Sequence, residues 1–224
     1  MSDEVTLPTP QGARTITSRY SDTRGYSKPV VNIMASRRAD REGAFFWRHL
    51  RSGMRVLDVG CGPGTITLGL AQAVAPGEVI GIDIEPSQID AARALADEQQ
   101  VANLHFRVGE GEVLDFADGS FNAVFSYAVI EHVHDPLAIL REMRRVVRVG
   151  GLAGVDASDW GGRVTEPVIP EVEDAIAVYQ RVWEYNGGHA RLGRQQRTLM
   201  RTAGFGRLET TAGALQLTPG PASS

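Results

Sequence analysis

The sequence predicts an α/β domain built on a doubly wound, parallel β-sheet. Between residues 55 and 158, short apolar runs typical of buried strands alternate five times with stretches of helical spacing. Such alternation favours parallel strands joined by right-handed helical crossovers. The first strand leads into a glycine-rich loop, and 224 residues are enough to bury the core of one such domain. We therefore expect one domain with additions at either end.

The overall composition excludes several classes of protein. The formal net charge is −4, so the chain lacks the basic surface expected of a nucleic-acid binder. Its only cysteine, Cys61, allows neither an internal disulfide nor a zinc site built on several thiolates. No signal-peptide pattern is present, nor any apolar stretch of the roughly 18 residues that a membrane span needs. We expect a cytoplasmic protein without a membrane span.

The first 50 residues are predicted to form a tail and a helical lid. Residues 1–19 are polar and contain turn-forming proline and glycine, and one helix is expected from about Pro29 and another from about Asp40. Residues 51–160 are predicted to form the core. Residues 161–224 are expected to add helices and a last strand to the same domain.

The glycine loop follows a strand formed by Val56, Leu57 and Val59. Its third glycine, at position 64, comes one residue earlier than in the GxGxxG pattern of a dinucleotide-binding loop. Asp58 lies two residues before the first glycine, where an ionised carboxylate would repel a pyrophosphate and attract a cation. S-adenosylmethionine (SAM) carries a sulfonium and an ammonium group, so it fits this pattern better than a dinucleotide does.

The segment from Asp58 to Gly64, DVGCGPG, resembles motif I of the class I SAM-dependent methyltransferases. The flanking sequence is similar to the branch related to ubiquinone and menaquinone C-methyltransferases, and the resemblance covers about residues 45–160. It implies a Rossmann-like methyltransferase sheet in the order 3-2-1-4-5 plus a sixth strand. It also implies SAM as cofactor, released as S-adenosylhomocysteine (SAH).

The resemblance further implies which residues bind the cofactor. Asp58 and the loop glycines would hold the methionine part, and Asp83 would accept hydrogen bonds from the ribose. Glu110 stands where the family usually has an aspartate beside the adenine, with Glu112 as the alternative. The predicted cofactor-binding residues are Asp58, Gly60, Gly62, Gly64, Asp83, Ile84, Gly109, Glu110, Gly111, Ser126 and Tyr127, with Tyr20 and Tyr26 as lid candidates. For these two tyrosines, packing of a helix against the core is the alternative.

The segments after the loop continue the α/β order. Residues 65–74 predict a helix, and residues 78–86 predict a second strand with an acid at its tip. Glu85 predicts the N-cap of a helix over residues 86–99, and a third strand is expected to end near Gly109.

The apolar run over residues 121–130 predicts a fourth strand buried on both faces. Asp135 predicts the start of a helix, Gly150 and Gly151 predict its end, and residues 152–158 predict the fifth strand. In the order 3-2-1-4-5, the ligand crevice lies between strands 1 and 4 at their carboxyl ends.

The C-terminal part carries weaker signals. Residues 170–186 and 191–203 predict two helices, and residues 204–211 predict the sixth strand. The resembling family normally inserts a seventh strand between the fifth and the sixth, and no convincing seventh strand is found in this sequence. A shortened end, a different ending, or completion of the sheet by a partner, for example in a homodimer, are the open alternatives.

His132, at the end of the fourth strand, is the predicted catalytic base if the acceptor has to lose a proton. The alternative is that His132 only orients its loop. His132 and His134 lack an obvious third ligand, so no metal site is expected. Arginines spaced over residues 191–201 predict a solvated helix face, with an anion clamp as the alternative.

These observations together predict transfer of a methyl group from SAM to carbon or oxygen of a small, apolar or aromatic molecule, with no nucleic acid as partner. The aromatic side chains that could line its pocket are Tyr20, Tyr26, Trp160, Tyr179 and Trp183. A SAM-binding protein without methyl transfer and a nicotinamide-dependent oxidoreductase are the two alternatives. The acceptor stays open, because variable elements form the substrate face of such folds.

Overall fold

The computed structural model describes Gly25 and residues 27–213. The strands in this part of the chain are β1 (Val56–Val59), β2 (Val79–Asp83), β3 (Leu104–Val108), β4 (Phe121–Tyr127) and β5 (Val147–Asp156). The α-helices are α1 (Lys28–Ala35), α2 (Ala44–Trp47), α3 (Thr65–Val74), α4 (Pro86–Glu98), α5 (Pro136–Val146), α6 (Pro170–Tyr185) and α7 (Gln196–Thr202). Short 3₁₀ turns cover Ile130–His132, Trp160–Gly162 and Gly193–Gln195.

The strands form one parallel sheet in the order β3-β2-β1-β4-β5, which confirms the predicted order. β1 is central, since Leu57 pairs with Ile80 of β2 on one side and with Val124 of β4 on the other. Every residue of β1 is buried. Because the carboxyl ends of parallel strands meet at one edge of a sheet, the last residues of β1, β2 and β4 come together there.

Helices cover both faces of the sheet. One face, here called the α3 face, packs Phe46 and Phe125 against helices α3 and α4. The opposite face, here called the α5 face, packs Leu57 and Val59 against helices α5 and α7. Side chains alternate between the faces along a strand. Asp58 therefore belongs to the α3 face.

Capping bonds confirm two predicted helix starts. The Asp135 carboxylate accepts hydrogen bonds from the N–H groups of Leu137 (3.0 Å) and Ala138 (3.1 Å). The Glu85 carboxylate accepts one from the N–H of Ser87 at 3.2 Å. Each cap satisfies donors that a first helical turn leaves unpaired, which typically stabilises a helix by about 1 kcal/mol.

The boundary between α5 and β5 differs from the prediction. The helix ends at Val146 and the strand begins at Val147, so Gly150 and Gly151 lie inside β5 and do not end α5. β-Branched residues in this segment favour extended backbone. The pairing of β5 with β4 is irregular here, since β5 has extra residues between two successive pairing positions. Glycine suits this irregularity, and Gly150 has a φ of +70°.

Two helices are shorter than predicted. α2 begins at Ala44 and not near Asp40, since residues 39–43 form turns, where the N–H of Arg38 donates to the Glu42 carboxylate at 2.7 Å. The helix predicted over residues 191–203 consists of a 3₁₀ turn followed by α7 (Gln196–Thr202).

The predicted sixth strand is wrong for the part of the chain that the structure describes, since residues 204–211 form no strand. Phe205 and Leu208 nevertheless pack on the core of the α5 face. In the predicted topology a sixth strand pairs only with a seventh, and no seventh strand is present among the described residues. A strand without a hydrogen-bonded neighbour leaves its backbone groups unpaired, so this segment stays irregular.

Candidate active site

The glycine loop after β1 is tied to the end of β2. The N–H groups of Gly60 and Cys61 donate to the Ile82 carbonyl at 2.8 and 2.9 Å. The N–H of Gly62 donates to the Asp83 carboxylate at 2.9 Å. The structure therefore brings together the loop and the acid that were predicted to hold the methionine and ribose parts of SAM.

The loop needs glycine for both its conformation and its contacts. Gly60, Gly62 and Gly64 have φ angles of +77°, +53° and +82°, in the left-handed region. A Cβ on Gly60 would lie 2.2 Å from a methyl carbon of Val129, and a Cβ on Gly62 would lie 2.8 Å from the Met34 methyl carbon. A larger residue would displace the loop from its neighbours.

Asp58 lies at the base of the loop, with 2% of the residue exposed. Its carboxylate accepts a hydrogen bond of 2.7 Å from the Thr67 hydroxyl. Burial raises the pKa of Asp58 to about 7; the Thr67 hydrogen bond opposes this rise and the charge of Asp83 adds to it. A cationic ligand at the loop would stabilise the ionised carboxylate, so this position suits the positive groups of SAM.

Asp83 is the second buried carboxylate of the site. It accepts hydrogen bonds from the N–H groups of Gly62 and Glu85, at 2.9 and 3.0 Å. Burial raises the pKa of Asp83, while these two hydrogen bonds lower it. Ile84, the next residue, is partly exposed. The end of β2 thus presents a carboxylate beside an accessible apolar side chain.

The end of β3 places the predicted adenine-binding residues next to β2. The N–H of Gly109 donates to the Asp83 carbonyl at 2.9 Å. Glu110 is exposed and lines a shallow cleft of about 350 Å³. Gly111 is closely packed, since a Cβ there would lie 3.0 Å from a methyl carbon of Val59. The three predicted residues therefore lie together at the same edge of the sheet as Asp83.

Met34 and Arg37, which the sequence interpretation missed, also line the cleft over the glycine loop, which measures about 310 Å³. The Thr65 hydroxyl donates to the Met34 carbonyl at 3.2 Å, which holds the end of α1 against the start of α3. The Arg37 guanidinium lies 5.0 Å from the centre of the Tyr127 ring. Arg37 and Arg38 follow the first predicted helix, and this pair of basic residues is the sequence signal that could have identified Arg37.

The end of β4 forms the far side of this cleft, and the end of β5 lies next to it. Tyr127 lines it and pairs with Asp156 of β5, so both side chains leave the sheet on the α3 face. Ser126 points to the α5 face and is fully buried, and its hydroxyl hydrogen-bonds to none of the described residues. Of the two residues predicted at the end of β4, only Tyr127 brings its side chain to the cleft.

The pKa values of Tyr127 and Asp156 depend on burial, on neighbouring carboxylates and on Arg37. Burial and the charge of Asp156 raise the pKa of Tyr127, while Arg37 lowers it. Burial raises the pKa of Asp156 to about 6; the charge of Glu131 adds to this rise and Arg37 opposes it. The sequence interpretation did not select Asp156 either. Asp83 was selected as an acid at the carboxyl end of a strand, and the same rule would have selected Asp156.

His132 lies in the 3₁₀ turn after β4 and stacks on Trp183 of α6, with ring centroids 4.8 Å apart. Trp183 is fully buried, and Trp160 and Tyr179 pack around it at 6.1 and 6.0 Å. The part of the cleft over the glycine loop, as far as the structure describes it, does not include His132 among its lining residues. These aromatic side chains therefore form a packed cluster beside the cleft.

Several other expectations concern residues away from this cleft. Tyr20 and Tyr26 lie outside the described residues, so their role in a lid stays a prediction. In the predicted arginine stripe, Arg194 pairs with the Asp159 carboxylate at 2.6 and 2.9 Å. Within the described residues, no group of three or more potential ligands is placed to hold a metal ion. None of the described helices is both long and apolar enough to cross a membrane.

Comparison with family models matches residues 50–204 to a methyltransferase domain. An uncharacterized methyltransferase of Schizosaccharomyces pombe is 35% identical over 144 residues, which cover 60% of this chain and 52% of the relative. A demethylmenaquinone methyltransferase of Lactococcus lactis is 31% identical over 130 residues, covering 57% of this chain and 49% of the relative. The chain thus spans about half the length of these curated relatives.

A crystal structure of a SAM-dependent methyltransferase from Aquifex aeolicus is similar in fold. It aligns with a TM-score of 0.54 at 21% identity, over 71% of this chain and 87% of that one. At this level of identity the likeness supports the arrangement of the sheet and helices.

Proposed function

Because this chain belongs to the methyltransferase-domain family, we propose that it transfers a methyl group from SAM to carbon or oxygen of a small, apolar or aromatic molecule. The observation that carries the proposal is the buried carboxylate of Asp58 at the base of the glycine loop. An ionised Asp58 needs a cation, and SAM carries two positive groups. The name of the Lactococcus lactis relative supports an aromatic acceptor.

The residues present fit SAM. We assign the methionine part to Asp58, Gly60, Gly62 and Gly64, the ribose to Asp83, and the adenine to Ile84, Gly109, Glu110 and Gly111. Tyr127 would cover the cofactor from β4, and Ser126 would contribute through its backbone, since its side chain points to the other face. Arg37 lines the same cleft and is placed to pair with the carboxylate of the cofactor. Tyr20 and Tyr26 remain lid candidates.

SAM, when bound, supplies an electrophilic methyl group on a sulfonium. The chain's own contribution is alignment and exclusion of water, because the reaction removes charge from the site. Asp58 and Asp83 would hold the methionine and ribose parts of the cofactor, while Met34 and Arg37 line the cleft over the loop. His132 stays a candidate catalytic base, held by its stacking on Trp183.

The proposal extends to location and assembly. We expect a cytoplasmic protein that acts on a small molecule and not on nucleic acid, in line with the net charge of −4. The outer edge of β5 pairs with no other strand among the described residues. A homodimer that covers this edge is therefore part of the proposal.

Calorimetric titration with SAH, with NAD as control, tests the cofactor. Micromolar SAH binding without NAD binding is expected, followed by SAH production from SAM in the presence of phenols, quinols and other apolar acceptors. Binding without SAH production from any acceptor would favour a SAM-binding protein that transfers no methyl group. Binding of NAD and not SAH would contradict the proposal and favour an oxidoreductase.

A further inference from the structure

Asp156, at the carboxyl end of β5, is a carboxylate that the proposed cofactor site does not use. It lies one strand beyond Tyr127 and two strands beyond Asp58, on the same face of the sheet. Neighbouring strands are about 4.8 Å apart. Asp58 pairs with Phe125, so Tyr127 and Asp156, which pair with each other, lie two residues further toward the carboxyl ends of the strands. Asp156 therefore lies on the side of the proposed methionine site that faces away from the proposed ribose site.

The Asp156 carboxylate is partly buried, yet it accepts no hydrogen bond within the part of the chain that the structure describes. Glu131 beside it differs, since its carboxylate accepts hydrogen bonds from the N–H and the hydroxyl of Ser158 at 3.2 and 2.6 Å. Withdrawing a carboxylate from water without a donor is unfavourable, so such groups are normally hydrogen-bonded. A donor on a bound molecule would satisfy Asp156.

Two charged groups act directly on Asp156. Arg37 after α1 lowers the pKa of Asp156, and Glu131 in the 3₁₀ turn raises it. Tyr127 lies next to it on β4, and Glu42 acts on Tyr127 from the segment before α2. The result, a pKa of about 6, allows the carboxylate to be ionised at neutral pH and still to accept a proton.

We propose that Asp156 binds the methyl acceptor, and that its carboxylate accepts a hydrogen bond from a hydroxyl group of that molecule. This inference rests on the proposed methyltransferase function and narrows its acceptor to a hydroxylated, aromatic molecule. In methylation of that hydroxyl, the acceptor oxygen forms the bond to the methyl carbon, and the electron pair of the carbon–sulfur bond stays on sulfur. The hydroxyl proton passes to Asp156 and then to water.

The test compares 2-naphthol with 2-methoxynaphthalene, in which a methyl group replaces the hydroxyl hydrogen, on the SAH-loaded protein. The wild type is expected to bind the naphthol roughly tenfold or more tightly than the ether, because a hydrogen bond to a charged group is lost in the ether. In Asp156→Asn this preference should shrink to about threefold or less. In Asp97→Asn, an exposed carboxylate on α4, it should stay unchanged.

SAH affinity is measured for each variant, so that a folding defect in Asp156→Asn is recognised. Asp156→Glu, which keeps the carboxylate, should retain part of the preference. A preference of wild-type size in Asp156→Asn, or no preference in the wild type, would overturn the inference. Failure of the wild type to bind SAH would instead overturn the proposed function, and the SAH titration alone reports it.

Turnover gives a second readout once an acceptor is found. The wild-type kcat/KM should rise with pH through about 6 as Asp156 ionises, and Asp156→Asn should lose this step. A pH profile that is the same in both proteins would count against a role for Asp156 in taking up the proton.

Discussion

The Thr67 hydroxyl donates a hydrogen bond of 2.7 Å to the buried carboxylate of Asp58. Thr67 lies in the first turn of α3, so the helix that follows the glycine loop also holds the acid that precedes it. Burial penalises ionised Asp58 more than this one hydrogen bond compensates, because its pKa still rises to about 7. The protein thus keeps a destabilising carboxylate where the proposed cofactor is positively charged.

Asp58→Asn should remove a pH-dependent loss of stability. The folded-state pKa of about 7 lies above the ordinary value of 3.8, so folded protein binds more protons than unfolded protein between these values. Stability should therefore fall as pH rises from about 4 to 7. At pH 8 the variant should be more stable than the wild type by up to about 4 kcal/mol, since one pKa unit corresponds to about 1.4 kcal/mol. Urea denaturation at pH 5 and pH 8 measures this.

The control for this prediction is Asp97→Asn, which changes an exposed carboxylate on α4. Its stability should follow the wild-type pH dependence. If Asp58→Asn showed the same pH dependence as this control, Asp58 would not be the group that titrates.

Asp83→Ala should weaken SAH binding by about 1 to 3 kcal/mol. The variant loses the acceptor for the N–H groups of Gly62 and Glu85 and the group assigned to the ribose. Calorimetry compares it with Asp90→Ala, whose side chain is exposed on α4. Equal affinities in both variants would remove Asp83 from the site.

Gly60→Ala should destabilise the protein by roughly 1 to 3 kcal/mol and weaken SAH binding. The added methyl group meets Val129 at 2.2 Å, on a backbone with a φ of +77°. Gly162→Ala is the matched control, because a Cβ there has no atom within 4 Å. The double variant Gly60→Ala/Val129→Ala should recover the part of the lost stability that is due to the clash, as measured by thermal unfolding. No recovery would assign the whole loss to the backbone conformation.

Trp183→Ala should destabilise the protein by about 3 to 5 kcal/mol, because a fully buried indole leaves a cavity. Tyr185→Ala, on the same helix but 86% exposed, should change stability by less than about 0.5 kcal/mol. Chemical denaturation of both variants checks the contrast. Similar losses would mean that helix propensity and not packing decides the stability of α6.

His132→Phe separates the two roles considered for this histidine. Phenylalanine keeps an aromatic ring against Trp183 but has no nitrogen to accept a proton. If His132 is the catalytic base, kcat should fall by roughly a hundredfold or more while SAH affinity and stability stay near wild type. An unchanged kcat would assign His132 to orienting the loop, as expected if Asp156 takes up the proton.

Local chemistry made much of the fold predictable from sequence. The glycine spacing after Asp58, the acid at the end of β2, and the caps Glu85 and Asp135 each act over a few residues, and the structure shows each of them where the pattern placed it. The alternation of strands and helices, read together with the resemblance to methyltransferases, was enough to predict the parallel sheet and its order.

The predictions were wrong where the local structure depends on a strand that is distant in the sequence. Gly150 and Gly151 matched the pattern of a helix end, but pairing with β4 placed them inside β5. Residues 204–211 had the composition of a strand, and without a neighbouring strand among the described residues they form none. Backbone hydrogen bonds between distant segments cannot be recognised from the local sequence.

The sequence by itself determined the class of fold and the positions of Asp58 and Asp83, because these depend on residues that follow one another. Only the tertiary structure brought Arg37 into the cleft and placed Asp156 in one row with Tyr127, because their proximity depends on how separate segments pack on the sheet. The same holds for burial. Burial is the largest cause of the rise in the pKa of Asp58 to about 7, which makes a positively charged ligand favourable for the ionised carboxylate.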